Sequence, residues 1–411
     1  MPHHIIRLSN GLRLIHKETD SPISHFGVLV NAGTRDESAD QMGMAHFVEH
    51  TIFKGTEKRS AYRVISRMED VGGDLNASTS KEETCFHASF LSAFYPRAVE
   101  LLADIAFHAT FPEKELEKEK TVVLEEINFY KDSPSELIFD DFEDLVFAGH
   151  PLGKNILGTP ASVRGLHRQD ILDFIRYNYT IDNIVLASVG NISTKRLVRL
   201  CERYFGGEST PRSQRERLPF TTFAPQHRSV TKKIIQSHVM TGGLAYPITD
   251  DKRDALSLLN NLLGGQGMSS RLNMRVREKN GLAYAVESSY TAFSDTGLFT
   301  IYFGCEQEHT NQCMDLILKE LKKLREQKLG TMQLFYAKKQ FIGQWALSYE
   351  TELNEMLALG HTALFFDEVD TFQEAIADFE ALTADNLLEV ANEILLPDNF
   401  STLVFEPRHG K

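Results

Sequence analysis

Apolar and polar positions alternate through residues 3–18, with Asn10-Gly11 between two short runs, the pattern of a β-hairpin. Residues 23–33, ISHFGVLVNAG, continue as a strand that stops at Gly33. The spacing then lengthens. GMAHFVEHTIFKG (43–55) and AYRVISRMEDVGG (61–73) place apolar residues at helical intervals, and each ends at glycine. DLNASTSKEETCFHASFL (74–91) predicts two strands, and FYPRAVELLADIAFHA (94–109) an amphipathic helix. PEKELEKEKTVVLEEINFYKD (112–132) predicts another helix, with Pro112 near its first turn.

The periodicity lapses between residues 205 and 227, where Gly, Ser, Pro and Arg cluster, and the order of elements then returns. Strand SHVMTGGLAYP, helices RDALSLLNNLLGG and RLNMRVREKNG, strands AYAVESSYTAF and GLFTIYFGC, and helix NQCMDLILKELKKL repeat the sequence of the first half. The expectation is an internal duplication of class α+β: two homologous domains, each a mainly antiparallel sheet with helices packed on one face. We place the domains at 1–208 and 229–411, with a linker at 209–228.

Composition narrows the function. At 411 residues the chain is long for a single core. A formal net charge of -13 without a basic stripe argues against nucleic acid as a partner. The four cysteines form no C-x-x-C pair, which fits reduced thiols. The N-terminus has no signal-peptide pattern and no apolar run reaches the ~20 residues of a membrane span, so the expected setting is cytoplasmic, away from membranes.

One stretch carries chemistry. His46, Glu49 and His50 stand at i, i+3 and i+4, on one face of a predicted helix. Two imidazoles one turn apart match the bite of a zinc ion, and a carboxylate between them can take a proton from metal-activated water. The second half has no such motif. A third ligand is needed, and the glutamates of residues 113–126 are the candidates. Leu116, Val123, Ile127 and Tyr130 mark the buried stripe of that helix; Glu119 and Glu126 fall into it, while Glu113, Glu115, Glu117 and Glu125 do not. Helical phase leaves open which of the two binds metal and which orients a ligand. GGQGMSSRL (264–272) invites a phosphate-loop reading but lacks the lysine and the strand before it.

H-x-x-E-H followed after 75 intervening residues by Glu126, with Glu119 completing an E-x6-E pair, resembles the inverted-motif zinc metallopeptidases of the pitrilysin or insulinase family. HFVEHTIFKGT, NASTSKEET and GGQGMSSRLNMRVREKNGLAYAV extend the likeness over nearly the whole chain, closest to the short, processing-peptidase-like subfamily. The resemblance implies a Zn2+-dependent endopeptidase, two domains closing as a clamshell on unstructured peptides. It implies His46, His50 and Glu126 as ligands, Glu49 as general base, and Glu119 behind the ligands. Asn76, Ala77 and Ser78 would hold the peptide as an added strand. Arg277 and Tyr284, an Arg-x6-Tyr pair, would reach substrate and oxyanion. It also implies a homodimer, or a heterodimer with a non-identical partner. The competing expectation is a non-catalytic or partner-dependent subunit of a processing-peptidase-like complex.

Overall fold

The computed structural model describes residues 3–213 and 215–408. The chain forms two compact units: Met1–Asn128, Lys154–Arg217 and Leu347–Phe372 in the first, and Phe129–Gly153, Leu218–Ala346 and Gln373–Lys411 in the second.

In the first unit, β1 (His3–His4) pairs with the two-residue β12 (Glu368–Val369). The main sheet comprises β2 (Ile6–Arg7), β3 (Arg13–Glu18), β4 (Ile23–Val30), β5 (Asp74–Thr79), β6 (Thr84–Leu91) and β7 (Ile184–Gly190), in the order β2-β3-β7-β4-β6-β5. All its pairings are antiparallel except β3 with β7. The expected hairpin turns at Gly11, whose φ of 93° suits glycine. Helices α1 (Met44–Thr51), α2 (Ala61–Glu69), α3 (Tyr95–His108) and α4 (Glu113–Lys131) follow in the places the periodicity gives. Three further helices, α6 (Pro160–Gly165), α7 (Arg168–Asn178) and α8 (Thr194–Tyr204), surround β7 in sequence.

The second unit also holds one sheet: β8 (His227–Lys232), β9 (Ser237–Ala245), β10 (Ala283–Ala292), β11 (Gly297–Cys305) and β13 (Ser401–Pro407), ordered β8-β13-β9-β11-β10. Only β8 with β13 is parallel. Strand for strand this repeats β3-β7-β4-β6-β5, so the duplication expected from element order extends to sheet topology. Helices α9 (Arg253–Gly264), α10 (Thr310–Glu326), α11 (Thr331–Ser348), α13 (Phe372–Ala381) and α14 (Ala384–Ile394) accompany it. Residues 273–278, expected as ordinary helix, form a π-helical turn: Lys279 N–H bonds Met274 O five residues back, and Gly281, at φ 61°, ends the segment.

The units differ from a single division at 209–228 in two segments. Helix α5 (Pro134–Val146), from the first half of the chain, packs on β9 and β13. Helix α12 (Glu352–Phe365), from the second half, packs on β4 and β7, the matching strands of the first sheet. Beside the main helical layer, each sheet thus has its other face covered by one helix from the other half of the chain. Leu29, Val185 and Ala187 meet Met356, Leu359 and Ala363, while Met240, Leu403 and Phe405 meet Ile138 and Phe142. Burial on both faces explains why every residue of β4 after Ile23 is buried. The linker is not a free spacer either. Arg217 pairs with Asp36 at 2.8 Å and with Glu82 at 3.3 Å, inside the first unit.

Candidate metal and catalytic site

Helix α1 is short, and its N-cap, Gly43, sits at φ 87° with no side chain to accept the free N–H groups. Glu37 supplies that acceptor from outside the helix. Its two carboxylate oxygens each take a backbone bond of 2.9 Å, from Gly43 N–H and Ala45 N–H. Met44, Ala45, Phe47 and Val48 are buried and fix the helix against the unit, so His46 and His50 project together.

Glu126 arrives from α4. His46 Nε2 lies 3.7 Å and His50 Nε2 3.5 Å from the same oxygen, Glu126 Oε2. The three donor atoms all lie within 4.8 Å of one another and could hold a metal ion. The spacing tests the fit. Ligands ~2.1 Å from a tetrahedral zinc are roughly 3.4 Å apart, close to both distances. The imidazole rings stand 4.5 Å apart, centroid to centroid, at 61°.

Glu119 also lies in the buried stripe of α4, one oxygen 3.0 Å from His50 Nδ1 and the other 2.6 Å from Lys54 Nζ. Of the remaining glutamates there, Glu125, Glu113 and Glu117 are exposed and Glu115 is half-buried. Lys54 is the residue that phase could have found, four positions beyond His50 on the same face. Glu37 gave no signal, because its partners are backbone groups of a loop geometry that periodicity does not encode.

The electrostatics separate the two histidines. Burial, then the neighbouring His50, holds His46 down to about 3, so its imidazole is neutral. His46 Nδ1 is buried without a hydrogen-bond partner among the described residues. For His50 burial again lowers the value, but the bond to Glu119 and the charges of Glu126 and Glu119 outweigh it and raise the result. Burial raises Glu49, with Glu126 adding to it and Thr79 and His50 opposing.

Asn76, Ala77 and Ser78 lie on β5, the edge of the six-stranded sheet, and α1 packs against this strand. Asn76 and Ser78 are exposed and Ala77 is half-buried; Asn76 Oδ1 accepts from Ala77 N–H at 2.8 Å. Arg277 and Tyr284 belong to the second unit. Arg277 lies in the π-helical turn, and its guanidinium carbon is 5.7 Å from the Tyr284 ring centre. Tyr284 is 81% exposed.

Comparison with known proteins gives a consistent picture. Residues 13–160 match the family model described as insulinase (peptidase family M16), and residues 165–341 the model described as peptidase M16 inactive domain. The chain is 32% identical to the uncharacterized zinc protease YmxG of Bacillus subtilis, over 96% of both chains. It is 33% identical to an uncharacterized zinc protease of Streptomyces coelicolor, over 94% of this chain and 86% of the other. Among solved structures, a protease from Helicobacter pylori superposes with a TM-score of 0.92 at 22% identity, covering 99% of this chain and 100% of that one. A peptidase M16 inactive domain from Pseudomonas fluorescens gives 0.92 at 19%, covering 100% and 99%. These structural likenesses establish the fold.

Proposed function

The chain belongs to the insulinase family, peptidase family M16, and from that premise we propose that it is a zinc-dependent endopeptidase acting on unfolded peptides. The carrying observation is the convergence of His46 Nε2, His50 Nε2 and Glu126 Oε2 within 4.8 Å, with Glu49 on the same helix. His46, His50 and Glu126 would hold zinc, which when bound supplies a Lewis acid for water and for a peptide carbonyl.

The chain's own groups do the rest. Glu49 takes a proton from the attacking water and passes it to the leaving amine. Burial raises its carboxyl above the ordinary value, which brings it nearer the working pH of a general base. Glu119 accepts from His50 Nδ1–H and so leaves Nε2 free to face the metal position. The free edge of β5, with Asn76, Ala77 and Ser78, offers main-chain bonds to an extended peptide and little side-chain selectivity. Arg277 and Tyr284 enter the proposal as a cation and a phenol donor for a developing oxyanion. Among the described residues no helix is long and apolar enough to cross a membrane. A cytoplasmic setting and pairing of short chains, as a homodimer or with a different partner, belong to the same proposal.

The test is metal content and turnover of the purified chain on a quenched, unstructured peptide. Glu49→Gln is expected to keep zinc and lose about 10²–10⁴-fold in kcat/KM. Activity retained in that variant overturns the role of Glu49. A wild-type chain that holds zinc and cleaves nothing supports instead a non-catalytic or partner-dependent subunit.

A further inference from the structure

Lys54 has no part in the chemistry proposed above, yet its ammonium reaches the carboxylate behind the metal group. It stands just beyond the end of α1, where the backbone is fixed from two sides. Lys54 N–H bonds Thr51 O, in the last turn of α1, at 3.0 Å. One residue on, Gly55 O accepts from Thr110 N–H at 3.0 Å, and Thr56 bridges Ala109. That segment leads into α4, which starts at Glu113. The lysine is therefore anchored both to the helix of the histidines and to the approach of the helix of the glutamates.

From that base the side chain crosses to α4. Its ammonium is 2.6 Å from Glu119 Oε2, while Glu119 Oε1 is 3.0 Å from His50 Nδ1. Both oxygens of Glu119 are thus occupied, one by a cation and one by an imidazole of the metal group. Among the described residues Glu119 is the one acid within ion-pair distance of Lys54. The two side chains are 26% and 11% exposed, so solvent screens this pair less than an open surface pair. A glutamate held by one bond turns about its side-chain torsions. Held by two, from different directions, it keeps its plane, and the imidazole it orients keeps its own.

Removing the ammonium has two opposite effects on a dication. It takes away a positive charge, which favours the metal. It also frees Glu119, which lets His50 turn Nε2 off the metal position. The charge effect is the smaller, because Glu119 at 2.6 Å already cancels the ammonium and leaves a dipole.

We propose that Lys54 is a positioning residue of the metal site, acting through Glu119: it fixes one carboxylate oxygen so that the other holds His50 Nδ1–H, and with it Nε2, in place. The proposal rests on the metal-site reading above and adds a residue to it.

The experiment is competition of the full chain with a fluorescent zinc indicator at one fixed pH. The chains compared are wild type, Lys54→Met, Lys54→Arg, Glu119→Gln and the double variant Lys54→Met/Glu119→Gln. Lys54→Met keeps the aliphatic stem and removes the charged head. It is expected to bind one zinc at saturation, but about tenfold more weakly than wild type. Lys54→Arg retains a cation for Glu119 and is expected to stay within about threefold of wild type. In the Glu119→Gln background, Lys54→Met should change affinity by less than about twofold, because the residue it acts through is gone. An equal loss in both backgrounds would mean a general packing role and overturns the proposal. So does zinc bound more tightly in Lys54→Met, or a Lys54→Arg chain as weak as Lys54→Met. A wild-type chain that takes up no stoichiometric zinc overturns the metal-site reading and this proposal with it, whereas wild type and Lys54→Met binding zinc alike overturn this proposal alone.

Discussion

One turn apart on α1, two imidazoles meet opposite fields. His46 is buried and held neutral down to about 3, while the carboxylates of Glu119 and Glu126 raise His50 above its ordinary value. With zinc held as proposed, binding below the raised His50 value displaces a proton from His50 and none from His46. Zinc affinity is therefore expected to fall about tenfold per pH unit below the raised His50 value, with one proton released on binding. Competition with a metal indicator from pH 8 to 5 measures this, and a two-proton slope would contradict it. The carboxylates can be separated in the same assay. Glu126→Gln is expected to lose stoichiometric zinc and Glu125→Gln to retain it. Glu119→Gln should weaken zinc by about 10–100-fold, because His50 loses its orienting acceptor. The sequence already confined the third ligand to Glu119 or Glu126, since a buried stripe is a property of one helix and its period. Helical phase stops there; the spacing of the family motif pointed to Glu126, and it is a Glu126 oxygen that lies before both imidazoles.

At the scale of the element, α1 is held at its N-terminus by Glu37, a buried carboxylate pushed up to about 8 by burial, against the pull of the Ala45 and Gly43 amides and of Lys154 and Lys81. Its folded value exceeds the ordinary carboxylate value, so folding takes up a proton between them. The stability it contributes is full below the ordinary value and is lost as pH rises through about 8, by at most about 1.4 kcal/mol per pH unit. Glu37→Gln, which resembles the protonated form, should flatten that slope. Urea midpoints between pH 5 and 8.5 compare the two chains, and parallel slopes would rule the effect out. Helix α12 depends on close approach instead. A Cβ at Gly360 would stand 2.5 Å from Leu29 Cδ1 and 2.9 Å from Ala187 Cβ. Gly360→Ala is thus expected to cost about 1–3 kcal/mol in chemical denaturation, and Leu29→Ala in the same chain to relieve part of it.

For the whole molecule, the duplication was legible in the sequence because each half repeats the same local succession of turns and periods, whereas the order of strands within each sheet, with β7 between β3 and β4 and β13 between β8 and β9, depends on pairing that local pattern does not encode. The sequence also hid the exchange of α5 and α12, since a helix's apolar stripe says that a face must be covered and not which sheet it covers. That exchange has a consequence for folding. A fragment of residues 1–128 and 154–217, with a short linker in place of 129–153 because α5 belongs to the other unit, would without 347–372 leave Leu29, Val185 and Ala187 of the first sheet bare on the face that Met356, Leu359 and Ala363 otherwise cover. Such a fragment is expected to aggregate or to bind a hydrophobic dye strongly. Joining residues 347–372 to it through a flexible linker should restore a cooperative melt and remove dye binding, because Lys17–Glu355 at 2.5 Å and Glu83–His361 at 2.6 Å re-form alongside the apolar contacts. The ion pairs guide register, and the apolar face supplies most of the stability. Changing Lys17 to Ala in the joined fragment should accordingly lower its melt only slightly, whereas Leu359→Asp should abolish it. The same fragment without 347–372, if it melts cooperatively without dye binding, would mean that α12 is dispensable to the first unit.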